Sequence, residues 1–202
     1  MIKKFLSIGT LFSAQQEKTC VQIPLEVKGK LFVSPMPFGP YDTKNTLLKI
    51  YKQHKVEFVV VLVTDDELDH KARHDLLAIY RKNNIKAIRF PFADYTSPDL
   101  YQISKVVDIV SGYLRAGAHM AVHCNAGVGR TGVMTCCIVR DVTGMSAPEA
   151  IDYVSRFMQI KMTDEQMRLV GRFNTVVKEI EAKRNASPSA RAPDHSVAHE
   201  ES

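Results

Sequence analysis

Little in this chain points away from an ordinary globular domain. Neither glycine (10) nor proline (9) is in excess over its 202 residues, which excludes a collagenous or wholly disordered protein. No apolar run is long enough to span a bilayer, so stable membrane insertion is not expected. The four cysteines, Cys20, Cys124, Cys136 and Cys137, include no Cys-x-x-Cys pair and no spaced Cys/His set, which argues against a disulfide scaffold and a zinc site. A reducing compartment, the cytoplasm, is therefore the default. No internal repeat and no second core segment is evident. What is present is 45% hydrophobic and 24% charged residues, enough for one core. The formal charge of +5 and pI near 9.0 favour an acidic partner. The positive charges are scattered, so nucleic acid is not an expected partner, and nothing in the sequence sets an oligomeric state.

At the N-terminus, Met1–Ala14 reads MIKKFLSIGTLFSA. A basic start before a short apolar stretch outlines a secretory signal, which would make the protein secreted, but the stretch carries Ser, Gly and Thr. A first strand or a loose arm within residues 1–25 is the preferred reading. Residues 183–202 are rich in Ala, Ser, Pro and charge without apolar periodicity, the pattern of a disordered tail. The intervening 26–182 make one α/β domain.

Within it strand and helix patterns alternate. Leu31–Phe38, Glu57–Val63, Ile85–Phe92 and His119–Cys124 are short apolar runs. FVVVLV is apolar on both faces, as a central parallel strand between helices requires. Helical patterns lie at about 42–54, 67–83, 99–116, 130–142, 147–160 and 164–182. Ser97-Pro98-Asp99 reads as a cap, a first-turn proline and an early acid. Gly144 reads as a helix stop, and Ser146-x-x-Glu149 and Thr163-x-x-Gln166 as capping boxes. Cys136 and Cys137 fall in an apolar helix as inert core thiols. A mostly parallel sheet of four or five strands flanked by helices is expected.

The informative stretch is Ala121–Gly132, AVHCNAGVGRTG. A strand ends at His123-Cys124, a glycine-containing loop follows, and a helix begins near Arg130. A phosphoryl dianion needs several donors around its oxygens. Successive N–H groups of a tight loop, here Asn125, Ala126, Gly127, Val128 and Gly129, supply them, and a helix N-terminus adds open amides and partial positive charge. Arg130 offers a planar fork for two phosphoryl oxygens. Amides, helix terminus and arginine also favour the thiolate of Cys124 over its thiol, making it a nucleophile able to form a phosphocysteine. His123 is expected to orient the loop and stabilise the thiolate, and the Thr131 hydroxyl to donate to the sulfur.

With His123, Cys124, Ala126, Gly127, Gly129, Arg130, Thr131 and Gly132 in place, the stretch resembles the signature of the protein tyrosine phosphatase superfamily. Over roughly residues 30–180 the chain resembles its compact members, the atypical dual-specificity phosphatases. The resemblance implies an aspartate on a loop about thirty residues before the cysteine, acting as general acid and then base. Asp94 in Phe90–Pro98 fits, with Asp66 of the cluster Asp65-Asp66-Glu67 as the alternative. That cluster otherwise reads as a solvated helix start. The resemblance also implies a glutamine that positions the hydrolytic water, matched by Gln166, whose other reading is the capping box. Neither metal nor cofactor is implied. The substrate class is phosphotyrosine and, with a shallow site, phosphoserine or phosphothreonine in proteins. Phosphoinositides or inositol phosphates are the alternative, and uncharged Asn125 and Val128 weigh against them. A non-catalytic phosphate-binding module is the third reading. Tyr95 and the loop Ser34–Tyr41 are the candidate walls of the site.

Overall fold

The computed structural model describes residues 20–173. The readings of Met1–Ala14, of residues 183–202 and of the helical pattern beyond 173 lie outside the described residues.

Five strands form one sheet in the order β1-β2-β5-β3-β4. They are β1 (Val21–Ile23), β2 (Leu31–Ser34), β3 (Phe58–Val61), β4 (Lys86–Arg89) and β5 (Met120–His123). β1 runs antiparallel to β2 at one edge, and all other pairings are parallel. Val59, Val60 and Val61 are fully buried, as the doubly apolar FVVVLV run requires. The register sets Ser34 beside His123, His123 beside Val61, and Val61 beside Arg89. One row of residues therefore ends four parallel strands, and every loop leaving it opens at the carboxyl edge. The order also reverses direction there, because β5 lies between β2 and β3. A ligand crevice in an open α/β sheet forms at such a switch point.

The helices are α1 (Leu47–Gln53), α2 (Asp65–Lys71), α3 (Leu76–Lys82), α4 (Leu100–Ala116), α5 (Arg130–Thr143) and α6 (Ala147–Ser155), with α7 over residues 164–173. α5 packs on β5 and β2 and touches α4 and α6. Its first eleven residues are all buried, and it stops at Gly144, left-handed at φ 76°. Cys136 and Cys137 sit inside it with no exposure. Burial pushes the Cys136 thiol up to about 12 and Cys137 up as well, so both stay protonated and unreactive.

Several boundaries differ from the expectation, each for a local reason. β2 ends at Ser34 because Pro35 and Pro37 lack an N–H for the ladder. The first helix starts at Leu47, since the buried Asp42 carboxylate accepts from Phe38 N–H (3.0 Å) and Thr46 N–H (2.8 Å) and closes a turn ahead of it. The single helix expected at 67–83 is two. Arg73 N–H leaves the helix for the Phe38 carbonyl (3.1 Å), and Asp75 starts a new one by accepting from Ala78 N–H (2.9 Å). At α4 the cap is Asp99 itself, accepting from Gln102 N–H (2.9 Å), so Ser97 and Pro98 stand before the helix. The pattern at 147–160 is helical only to Ser155.

Candidate active site

Three loops from the carboxyl edge and the approach to α7 converge on residues 124–130. Cys124 directly follows β5 and is buried. Gly127 N–H points at its Sγ, 3.2 Å away. Among the described residues the N–H groups of Asn125, Ala126, Val128 and Gly129 have no acceptor. The loop is pinned on both flanks: Met36 N–H donates to the Asn125 carbonyl and Lys161 N–H to the Val128 carbonyl, each 3.1 Å. Gly127 has φ 78°, and a Cβ there would lie 2.7 Å from the backbone of Ser34 and Pro35, closer than any side chain tolerates. The loop curls as the sequence requires, at the N-terminus of α5.

Arg130 opens α5 and is wholly buried. Its fork is held from the start of α2: Nη1 donates to Glu67 Oε2 at 2.5 Å and Nη2 to Glu67 Oε1 at 2.8 Å. Nη1 also reaches the Phe92 carbonyl at 3.0 Å. Nε lies 3.3 Å from Asp94 Oδ1, an ion-pair contact without hydrogen-bond geometry. Burial alone would raise the Glu67 carboxyl. The bonds from Arg130, Lys71 (2.9 Å) and Thr64 outweigh it and hold the carboxyl down to about 2. Burial alone would lower Arg130, but Glu67 keeps the guanidinium above its ordinary value.

Glu67 is the residue that the acidic-cluster reading missed. Asp66, the alternative acid, is a solvated neighbour paired with His70 at 3.1 Å. Glu67 instead turns inward, its backbone N–H on Thr64 Oγ1 and its carboxylate on Thr64 N–H. Thr64-x-x-Glu67 is a capping box directly after an apolar strand, a signal present in the sequence.

His123 is fully buried, with Nε2 2.9 Å from the Tyr80 hydroxyl and Nδ1 3.2 Å from the Cys124 carbonyl. Burial drives it down to about 4, so the ring is neutral. It orients the loop through the carbonyl. The expected hydrogen bond to the thiolate is not made, because both nitrogens are committed elsewhere. The Thr131 hydroxyl, expected on the sulfur, is buried without a partner among the described residues. Sγ receives the Gly127 amide instead.

Asp94 stands in the loop after β4 with its side chain 42% exposed, which leaves it open to a substrate. Its Oδ1 accepts from Tyr95 N–H at 3.1 Å. Tyr95 adopts φ 63° and is 74% exposed. Gln166 is buried and both ends of its amide are taken. Oε1 accepts from Thr163 N–H (3.1 Å), Gln166 N–H donates to Thr163 Oγ1 (3.2 Å), and Nε2 donates to the Thr96 carbonyl (2.8 Å). The capping box forms, and one Nε2 hydrogen ties α7 to the Asp94 loop; Nε2 carries a second hydrogen, so both readings of Gln166 stand side by side. Ser34, Pro35 and Tyr41 line a cavity of about 630 Å³ together with Ala126–Val128, a cavity that Cys124, Arg130 and Asp94 do not line.

The family described as "Polymorphic toxin system, DSP-PTPase phosphatase" matches residues 39–143. Human dual specificity protein phosphatase CDC14C is 30% identical over 121 residues, covering 60% of this chain and 23% of that protein. The phosphatidylinositol 3,4,5-trisphosphate 3-phosphatase cnrN of Dictyostelium discoideum is 40% identical over 60 residues, covering 29% of this chain and 9% of that protein. The chain thus spans less than a quarter of the length of either. The crystal structure of kinase associated phosphatase with its catalytic-site cysteine replaced by serine shares the fold, with a TM-score of 0.70 at 19% identity over 81% of this chain and 98% of that one. The resemblance to small dual-specificity phosphatases holds.

Proposed function

On the footing that the chain belongs to the DSP-PTPase phosphatases of polymorphic toxin systems, we propose that it hydrolyses phosphoproteins through Cys124. The observation that carries the reading is Cys124 Sγ under the Gly127 amide, in a loop of unpaired N–H groups closed by buried Arg130. In the proposed reaction the thiolate attacks phosphorus, the P–O bond to the leaving group breaks, and Asp94 gives that oxygen its proton. Asp94, now a carboxylate, takes a proton from water as it attacks the phosphocysteine, and inorganic phosphate leaves as the thiolate returns. The open amides of Asn125, Ala126, Val128 and Gly129 bind the phosphoryl oxygens, while that of Gly127 faces the sulfur. Arg130 adds its charge, its fork exchanging part of Glu67 for substrate. The reacting thiol needs a reducing compartment, which supports the cytoplasm. Among the described residues no helix is long and apolar enough to cross a membrane.

Turnover of p-nitrophenyl phosphate tests the chemistry. Cys124→Ser abolishes it, vanadate inhibits it, and EDTA leaves it unchanged. Activity that survived Cys124→Ser would refute the reading. The similarity to cnrN favours a second reading, hydrolysis of a phosphoinositide. Asn125 and Val128 bring no charge for additional phosphates, so phosphoprotein is preferred. Parallel rates on phosphotyrosine and phosphothreonine peptides and on phosphatidylinositol phosphates decide between them.

A further inference from the structure

One acid-free run of lysines lies beside a concavity of the fold. Residues 20–173 contain 20 Lys and Arg against 16 Asp and Glu, a net +4. Lys44, Lys49, Lys52 and Lys55 supply four positive charges, and no acidic residue lies between 43 and 56. The remaining described residues are balanced. All four lysines are exposed, and among the described residues none of them has an acidic partner.

Two of these lysines border a concavity. Lys49 and Lys52, one turn apart on α1, line a groove of about 480 Å³ together with Phe38, Asn45, Leu48 and Gln53. Phe38 and Leu48 are half-buried and give it an apolar floor. Phe38 has a positive φ of 59°, a conformation costly for an aromatic residue. It is held there by Asp42 on its N–H (3.0 Å), by Arg73 N–H on its carbonyl (3.1 Å), and by His74 edge-on to its ring at 5.2 Å. The groove also adjoins the catalytic loop. Met36, whose N–H binds the Asn125 carbonyl, is two residues from Phe38, at most about 7 Å of chain.

We propose that this groove docks an acidic segment of a protein substrate, seating one apolar side chain on Phe38 and Leu48 while its anionic groups meet Lys49 and Lys52. The inference rests on the phosphoprotein reading and deepens it. The groove is within a few residues' reach of the Cys124 loop, close enough for one extended substrate segment to occupy both, and its lysines raise the encounter rate of an acidic segment. A bilayer does not fit this surface. Charge alone holds a bilayer weakly, and firmer binding adds protruding apolar side chains; the exposed large hydrophobics among the described residues, Tyr41, Tyr95, Tyr101, Ile109, Tyr113 and Met167, all lie off α1.

The test uses fluorescence anisotropy of a labelled pentapeptide of four glutamates around a central leucine, with a central-serine version and phosphatidylserine vesicles as comparisons. The protein is compared with its Lys49→Glu/Lys52→Glu variant, and p-nitrophenyl phosphate turnover is followed in both. The leucine peptide is expected to bind the parent about tenfold more tightly than the variant and than the serine peptide binds, and the difference should shrink with added salt. Turnover of the small substrate should be equal, which shows that the variant is folded with its site intact. Equal peptide affinities for the two proteins overturn the proposal. So does vesicle binding that depends on these lysines while the peptide fails to bind. A parent unable to turn over p-nitrophenyl phosphate would refute the phosphatase reading alone, and anisotropy would still decide the groove.

Discussion

Both carboxylate oxygens of Glu67 accept from Arg130, one from each terminal nitrogen, at 2.5 and 2.8 Å. The pair neutralises two charges that the fold otherwise buries at high cost. It also ties the first turn of α2 to the first residue of α5, so α2 shares in fixing where the guanidinium stands.

That arrangement makes stability depend on pH in two separable windows. Glu67 sits at about 2 when folded, below its unfolded value. It binds a proton less readily in the native state, so its contribution is complete above about pH 4.5 and is lost as pH falls toward 2. With solvent screening allowed for, this amounts to about 1–2 kcal/mol. His123, held neutral and at about 4, also favours the folded state at neutral pH and costs on the order of 3 kcal/mol as pH falls from about 6.5 to 4. Urea unfolding across pH should show both losses. Glu67→Gln should flatten the lower one and leave the upper, at the expense of lower stability at pH 7. A variant with the parent's slope below pH 4 would show that Glu67 is not the titrating group.

Asp94→Asn should lower kcat by about 10²–10⁴-fold for an alkyl phosphate, whose leaving group requires a proton, with little change in KM. Asp94 is in place for this because its loop carries it to the Arg130 nitrogen yet leaves it partly in solvent. An undiminished kcat on phosphoserine peptides would move the acid to another residue, and Asp66, exposed and paired with His70, is the one to substitute next.

Two left-handed glycines give opposed expectations. Gly127 and Gly144 have φ 78° and 76°, but a Cβ on Gly127 meets the Ser34 and Pro35 backbone at 2.7 Å, whereas nothing lies within 4 Å of one on Gly144. Gly144→Ala should cost about 1 kcal/mol of strain and spare activity. Gly127→Ala should cost about 3 kcal/mol or more, because backbone must move, and should abolish phosphatase turnover. Thermal unfolding and p-nitrophenyl phosphate kinetics on the two variants measure the contrast.

The strand-loop-helix at 120–143 was legible because each part has a local signature: apolar strand, glycine where only left-handed backbone fits, arginine at a helix start. Glu67 was not read, although its capping box was there. What makes it functional is a contact 63 residues away in sequence, and the solvated look of Asp65-Asp66-Glu67 hid the one member that faces inward. His123 and Thr131 were placed in the right loop with the wrong partners: Tyr80 reaches His123 from 43 residues away only through tertiary packing, and the sulfur takes the Gly127 amide through the curl of the loop itself. The acid-free lysine run between 43 and 56 stands in the sequence; what only the fold supplies is the groove that Lys49 and Lys52 border.

Gln166 offers the sharpest separation of two roles. Its Nε2 donates to Thr96, two residues beyond Asp94, so its effect on the reaction should pass through the position of that carboxylate. Gln166→Glu keeps an oxygen for Thr163 N–H and places a second acceptor against the Thr96 carbonyl, which repels it. In the parent background this should lower kcat on an alkyl phosphate about tenfold. In the Asp94→Asn background the same change should cost almost nothing, because the group it positions is already gone. Were Gln166 to act on the hydrolytic water independently, the two losses would multiply. The double-mutant cycle on kcat therefore assigns the residue: a coupling near the full tenfold makes it a positioning residue for Asp94, and multiplicative losses return it to the water.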